Sequence, residues 1–190
     1  MTSKCSVFIA TSLDGFISRS DGGIDWLDQA NSKVPPGEDC GFARFMSSVD
    51  ALVMGRNTFE LTMSFEQWPY ASTPLVVLSK RLNNLPPQTP STVSLSSQSP
   101  RVLVAALRAR GLQHLYVDGG LTIQSFLAAR MIDEITITRI PVLLGSGRPL
   151  FGPLPADVQL EHVSTRAYEF GFVQSKYRVA KGTPDVRPGT

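Results

Sequence analysis

Read for the alternation of apolar and polar positions, the chain is a series of short apolar runs separated by amphipathic stretches. Ser6-Val-Phe-Ile-Ala10 is too short for a helix and rich in branched residues, which predicts a buried strand, and Leu13 to Ile17 resumes it after a turn. Ala51 to Met54, Pro74 to Leu78, Leu115 to Val117 and Ile135 to Ile140 repeat the pattern. Between them the spacing becomes helical. Phe42, Phe45, Met46 and Val49 fall at i, i+3, i+4 and i+7, a single apolar face, with Glu38 and Asp39 in the first turn. Further helices are predicted from about Asn57 to Met63, from Arg101 to Arg110 and from Leu121 to Ala129. The second of these turns Val102, Leu103, Ala106 and Leu107 inward and ends at Gly111. From Asp21-Gly-Gly23 to Gly37 the chain reads as a loop anchored by Trp26 and Leu27. Leu85 to Pro100, rich in proline and hydroxyl residues, reads as a connection with a short strand at Thr92 to Leu95.

Strands alternating with helices imply a mostly parallel central sheet covered on both faces. Val142 to Leu144 extends the run before it, interrupted by Pro141. The pattern then changes: Val158 to Thr165 and Phe172 to Val179 flank Tyr168-Glu-Phe-Gly171, an antiparallel C-terminal hairpin. The expectation is a three-layer α/β domain over residues 1–181, with residues 182–190 a frayed Pro/Gly-rich tail.

Composition narrows the partners. With 42% hydrophobic residues the chain can fill a core without disulfides or metal. Cys5 and Cys40 are too few for a disulfide framework, and with His114 and His162 the only histidines no metal site is expected. A net charge of +2 without a basic stripe speaks against nucleic acid. No signal peptide and no apolar stretch of the ~20 residues a membrane span needs is visible, so a cytoplasmic protein is expected.

Three strand-to-helix junctions carry the chemistry. Met54-Gly-Arg-Asn-Thr58 places a glycine, free helical amides and the fork of Arg56 together, a combination suited to phosphate. Val117-Asp-Gly-Gly120, with Thr122 following, offers a second cradle that side chains would block. Leu78-Ser-Lys-Arg81 adds a hydroxyl and two cations at a third strand end. Ligands of open α/β sheets bind at the carboxyl ends of strands, so the three should gather on one edge. Taken singly, each is ordinarily just a turn. Their order suggests a dinucleotide carrying an extra phosphate.

Ala51-Leu-Val-Met-Gly-Arg-Asn-Thr-Phe-Glu60 resembles the strand-turn-helix of dihydrofolate reductases. Asp118-Gly-Gly120, Phe126-Leu127, Asp133-Glu-Ile135 and Pro141-Val-Leu-Leu-Gly-Ser-Gly-Arg-Pro-Leu-Phe151 resemble the C-terminal reductase domain of the bifunctional riboflavin-biosynthesis deaminase-reductase. Ser12-Leu-Asp-Gly-Phe-Ile17 and Gly23-Ile-Asp-Trp26 fit the same group. The likeness runs from about Ser6 to Val179 without the deaminase half, as in a stand-alone homologue with a dihydrofolate-reductase-like fold.

The resemblance implies an NADPH-dependent oxidoreductase. Ala10 and Ile17 match the positions framing the nicotinamide, and Gly55, Arg56 and Thr58 match contacts to the pyrophosphate and 2′-phosphate. Ser79, Lys80 and Arg81 match the adenosine-phosphate end, and Gly119, Gly120, Leu121 and Thr122 the second phosphate turn. The cations at Arg56, Lys80 and Arg81 favour NADPH over NADH.

A reduced nitrogen needs a proton, and Asp39 matches the substrate-binding carboxylate of dihydrofolate reductases. Beside Phe42 and Phe45, partial desolvation would raise its pKa and fit it to donate; capping a helix is the alternative role. Asp14 reads as a turn residue. Trp26 either closes over substrate or pins its loop. The first substrate candidate is a ribosylamino-pyrimidine phosphate, although Arg19 to Glu38 offers only Arg19 and Lys33 for its phosphate. A pterin or folate is the second, and a nucleotide-binding module without turnover is the rival from another class. Family analogy also implies a homodimer, through the hairpin edge or an apolar face at Leu150 and Phe151.

Overall fold

The structure is a computed structural model that describes residues 3–180. Strand β1 (Lys4–Ser12) lies near the middle of an eight-stranded sheet, and a short strand β2 (Phe16–Ser18) follows it. Then come α1 (Asp25–Asn31), α2 (Phe42–Met46), β3 (Ala51–Gly55), α3 (Arg56–Met63), β4 (Leu75–Leu78) and β5 (Val93–Ser96). They are followed by α4 (Pro100–Ala109), β6 (His114–Asp118), α5 (Gly120–Ala128), β7 (Glu134–Ile140) and β8 (Arg148–Pro149). Strands β9 (Leu160–Ala167) and β10 (Val173–Val179) close the fold.

The order across the main sheet is β5-β4-β3-β6-β1-β7-β10-β9. Every pairing from β5 to β7 is parallel, whereas β10 is antiparallel to both β7 and β9. This is the three-layer, mostly parallel α/β fold with a C-terminal hairpin that the hydrophobic pattern implies.

Alternation explains why the middle strands are apolar throughout. Val53, Val76, Leu115 and Val117 face one way and pack on Leu103, Leu107, Ile123 and Phe126 of α4 and α5. Leu52, Met54, Leu75, Val77 and Tyr116 face the other way, against Phe59 of α3 and the aromatic rings of α2. Both faces are therefore removed from water, and each buried Leu, Phe or Val contributes about 1.5–3 kcal/mol of transfer free energy. A third cluster of Trp26, Ile140, Tyr168 and Phe172 fastens α1 and the hairpin turn beyond the end of β7.

Several expectations need correction. The loop expected between Gly23 and Gly37 contains helix α1, whose Trp26 is only 3% exposed. One buried tryptophan outweighs the weak helical pattern around it. The helix expected around Phe42 is short: Gly41, in the left-handed region at φ 81°, precedes it, and Ser47 ends it. On α4, Leu103 and Leu107 are buried as expected, but Val104 joins them and Val102 is 52% exposed, so the inward stripe is turned away from Val102. Val142 to Leu144 forms no strand; instead Asp14 receives the amides of Leu144 and Gly145 (3.1 and 2.7 Å), tying the β1–β2 turn to that loop. Leu150 is buried in the core, so it cannot form an apolar surface with Phe151. The tail expected at 182–190 lies outside the described residues.

Candidate active site

Because β4, β3 and β6 are parallel neighbours, their carboxyl ends share one edge. Gly55 stands opposite Leu78, and Met54 opposite Asp118. The three junctions singled out in the sequence thus adjoin.

Two of them touch. Gly55 and Gly119 are the residues preceding α3 and α5. A Cβ on Gly119 would run into Thr58 Oγ1, and it would stand 3.9 Å from the Gly55 amide nitrogen. A Cβ on Gly55 would lie 2.8 Å from Thr122 Oγ1. Gly120 is held as closely, because a Cβ there would meet Ile17 Cδ1 at 2.9 Å and the Pro149 carbonyl at 3.2 Å. Gly119 also has φ 85°, where a side chain is strained.

Neither α3 nor α5 has a side-chain cap, and neither has an acidic residue in its first turn. Two adjacent helix N-termini therefore direct amides and dipole at one place, an arrangement favourable to an anion. Beside them, Arg56 is held by an exposed i,i+4 pair with Glu60 at 2.9 Å, a contact cheap to exchange. Ser79 Oγ accepts the amides of Arg81 and Leu82 (3.2 and 3.1 Å), leaving Lys80 and Arg81 exposed at the edge of the rim. Leu121 is 78% exposed there and Thr122 is buried.

Asp118 was not singled out by sequence reasoning. By alternation it leaves β6 on the face of Tyr116, and one carboxylate oxygen accepts the Gly119 amide at 2.7 Å. Burial pushes its pKa up to about 6, against the opposing effect of that amide. The available signal was an acid ending a central strand directly before a glycine pair.

A cleft of about 680 Å³ opens on that same face. Phe8, Ala10 and Thr138 form its floor, and Phe42, Tyr116 and Phe172 contribute aromatic walls. The rings of Phe8 and Phe42 are 5.7 Å apart, and Tyr116 donates its hydroxyl to the Phe8 carbonyl at 2.8 Å. Ala10, placed by sequence at the nicotinamide, lies in the floor; Ile17 packs over Gly120. Strands β1 and β2 thus supply one residue to the cleft, Ala10, and one to the glycine turns, Ile17.

Asp39 and Phe42 line the cleft; Trp26 does not, being buried as a pin. Asp39 also departs from its expected chemistry. The Ala43 amide (2.7 Å) and the Gly41 amide (2.8 Å) hold its carboxyl below the usual carboxylate range. The group expected to be raised by desolvation is exposed and caps α2 instead.

Residues 4–173 match the family described as the RibD C-terminal domain. The chain belongs to the RibD C-terminal domain family. Among its relatives, the uncharacterized protein YwjB of Bacillus subtilis (strain 168) is 31% identical over 170 residues, 88% of this chain and 94% of that one. A solved structure from Shewanella sp. PV-4, named for riboflavin biosynthesis, superposes with a TM-score of 0.88 at 40% identity, covering 94% and 99% of the two chains. A pyrimidine reductase-like protein from Corynebacterium diphtheriae shares the fold, with a TM-score of 0.69 at 17% identity over 95% and 93%. Among the described residues of this RibD-type chain, no helix is long and apolar enough to cross a membrane.

Proposed function

We propose that the protein is an NADPH-dependent reductase that passes hydride to a small pyrimidine-like or imine substrate held in the cleft. The observation that carries this reading is the contact between the Gly55 and Gly119 turns, two uncapped helix starts joined where a Cβ would collide.

The dinucleotide, when bound, supplies hydride from C4 of its dihydronicotinamide. The amides of α3 and α5 take the pyrophosphate, Ala10 and Ile17 frame the nicotinamide, and Leu121 and Thr122 complete the second turn. Arg56, Lys80 and Arg81, with Ser79, meet the 2′-phosphate end and favour NADPH over NADH. The aromatic walls exclude water and orient a flat ring against the cofactor.

Asp118 is the better candidate for the proton. Its pKa of about 6 leaves it partly protonated near neutrality, whereas Asp39 is stabilised as the anion. Asp39, with Phe42, serves the substrate wall. Family analogy still favours a homodimer, for which strand β9, exposed along its length, is the available edge; sedimentation velocity tests it.

The test is a titration with NADPH and NADH, followed by turnover with pyrimidines monitored by absorbance of the reduced cofactor. NADH binding as tightly as NADPH refutes the cofactor choice. NADPH that binds and is never oxidised supports a nucleotide-binding module instead.

A further inference from the structure

Among the described residues, no lysine, arginine or histidine lines the cleft wall, whose polar side chains are Asn31, Glu38, Asp39, Thr138, Cys40 and Tyr116. Two carboxylates stand where a substrate's outer end would emerge. One is matched and one is not: Glu38 is met by Arg166 at 3.3 Å, while Asp39 receives only backbone amides.

The neighbouring cations leave that balance unchanged. Arg166 is both paired with Glu38 and laid over the Tyr168 ring, 4.3 Å from its centroid. Arg139 lies between Thr138 and Ile140 on β7, and strand alternation turns it to the opposite face. Lys176 is held by Glu134 at 3.1 Å, and Arg178 reaches Glu161 at 3.7 Å. Lys33 is exposed and takes no part in the wall.

We infer that the cleft selects an unphosphorylated planar nitrogen heterocycle, neutral or bearing a cationic amine, and rejects its phosphate ester. This rests on the reductase reading for what happens to the ligand, but the selectivity follows from the wall itself. A phosphate dianion placed at the exposed mouth would meet two carboxylates, one of them without a cation, and would gain a partner of opposite charge only by drawing Arg166 away from Glu38. The faces of a conjugated ring instead match Phe8, Phe42 and Phe172, and an amine on its rim matches Asp39. Phosphate recognition is thereby confined to the cofactor rim.

The experiment is calorimetric titration of the full chain, with and without saturating NADPH, using 6-(ribitylamino)uracil and its 5′-phosphate as a matched pair. The unphosphorylated compound should bind at least tenfold more tightly, and added salt should narrow the gap by screening. Asp39→Asn should narrow it severalfold. If loss of the cap unfolds α2, Pro36→Lys is the second variant: it adds a cation at the exposed lip and should raise affinity for the phosphate ester alone. Equal or tighter binding of the ester to the unaltered protein overturns the inference. So does failure of both compounds to bind while NADPH binds normally, which leaves the cofactor reading standing. Selectivity that persists without any NADPH binding supports the inference and removes the reductase reading.

Discussion

The glycine rim proposed to hold the cofactor and the cleft proposed to hold the substrate are built from different materials. The rim is mostly backbone: glycines at 55, 119 and 120, free helical amides, and exposed cations that are loosely held. The cleft is side chain: aromatic rings, prolines and carboxylates brought from β1, β6, β7, the 34–42 segment and the hairpin. A rim made of peptide groups tolerates little change at its glycines and recognises what all ligands of its class share. A cleft made of side chains can change specificity by substitution without disturbing the rim. One fold can thus keep its cofactor while its substrate drifts.

The contrast can be broken most forcefully at Asp118, which ends β6 at the Gly119 turn, on the same strand face as the cleft residue Tyr116. Asp118→Asn keeps an acceptor for the Gly119 amide, so NADPH affinity should be retained while turnover drops by about 10²-fold, the usual worth of a positioned acid. Stopped-flow traces separate the two readouts. Its pKa, raised from 3.8 to about 6, means the folded state holds a proton the unfolded state has released. Stability contributed by this group is therefore full below about 3.8 and lost as pH rises through about 6. The Asn variant should gain on the parent over that window, by at most about 3 kcal/mol for a two-unit shift. Denaturation curves at pH 4 and pH 8 that run parallel for both proteins would contradict this.

Next is Gly119→Ala. The positive φ and the Thr58 contact should together cost about 1–3 kcal/mol, in stability, cofactor affinity or both. Phe42→Ala should instead leave NADPH affinity unchanged and raise KM. If the Phe42 change weakens NADPH as much as the Gly119 change, rim and cleft are not separable. Combining Arg56→Ala, Lys80→Ala and Arg81→Ala should weaken NADPH by at least about tenfold and NADH less, since even one lost charge-assisted bond is worth about 1.5 kcal/mol or more.

The smallest effect is expected at Asp39→Ala. Loss of the α2 cap should cost about 1 kcal/mol near neutral pH. The lowered pKa makes this contribution present above the usual carboxylate range and lost as pH falls through the depressed value. Urea melts at pH 7 and pH 3 should therefore show a gap that closes in acid.

Legibility in the sequence followed the same division. The glycine turns were readable because a positive φ or a close approach demands glycine at a fixed place, and the apolar runs before them marked strand ends. The cleft was not readable in that way. Asp39 lies close to Phe42 in the chain, which suggested an apolar environment; its carboxylate instead accepts the Gly41 and Ala43 amides at the start of α2. Asp118 was passed over because its raised pKa depends on burial beneath neighbours remote in sequence. For Trp26 the sequence left lid and pin both open, because it does not show that Ile140, Tyr168 and Phe172 enclose the ring. Local periodicity reports which face is apolar and is silent on what will cover it.

The fastening of the cleft's outer lip has a consequence for the order in which the molecule matures. Arg166 reaches back 128 positions to Glu38, and Gln174 reaches back 134 to the Cys40 carbonyl. All parallel strands are already synthesised when these two residues leave the ribosome. If the rim binds a dinucleotide as proposed, a nascent chain stopped near the end of β7 would already have the means to grip it, while the cleft would still lack a wall. Ligand protection against proteolysis during synthesis should come first from the dinucleotide and only later from the heterocycle.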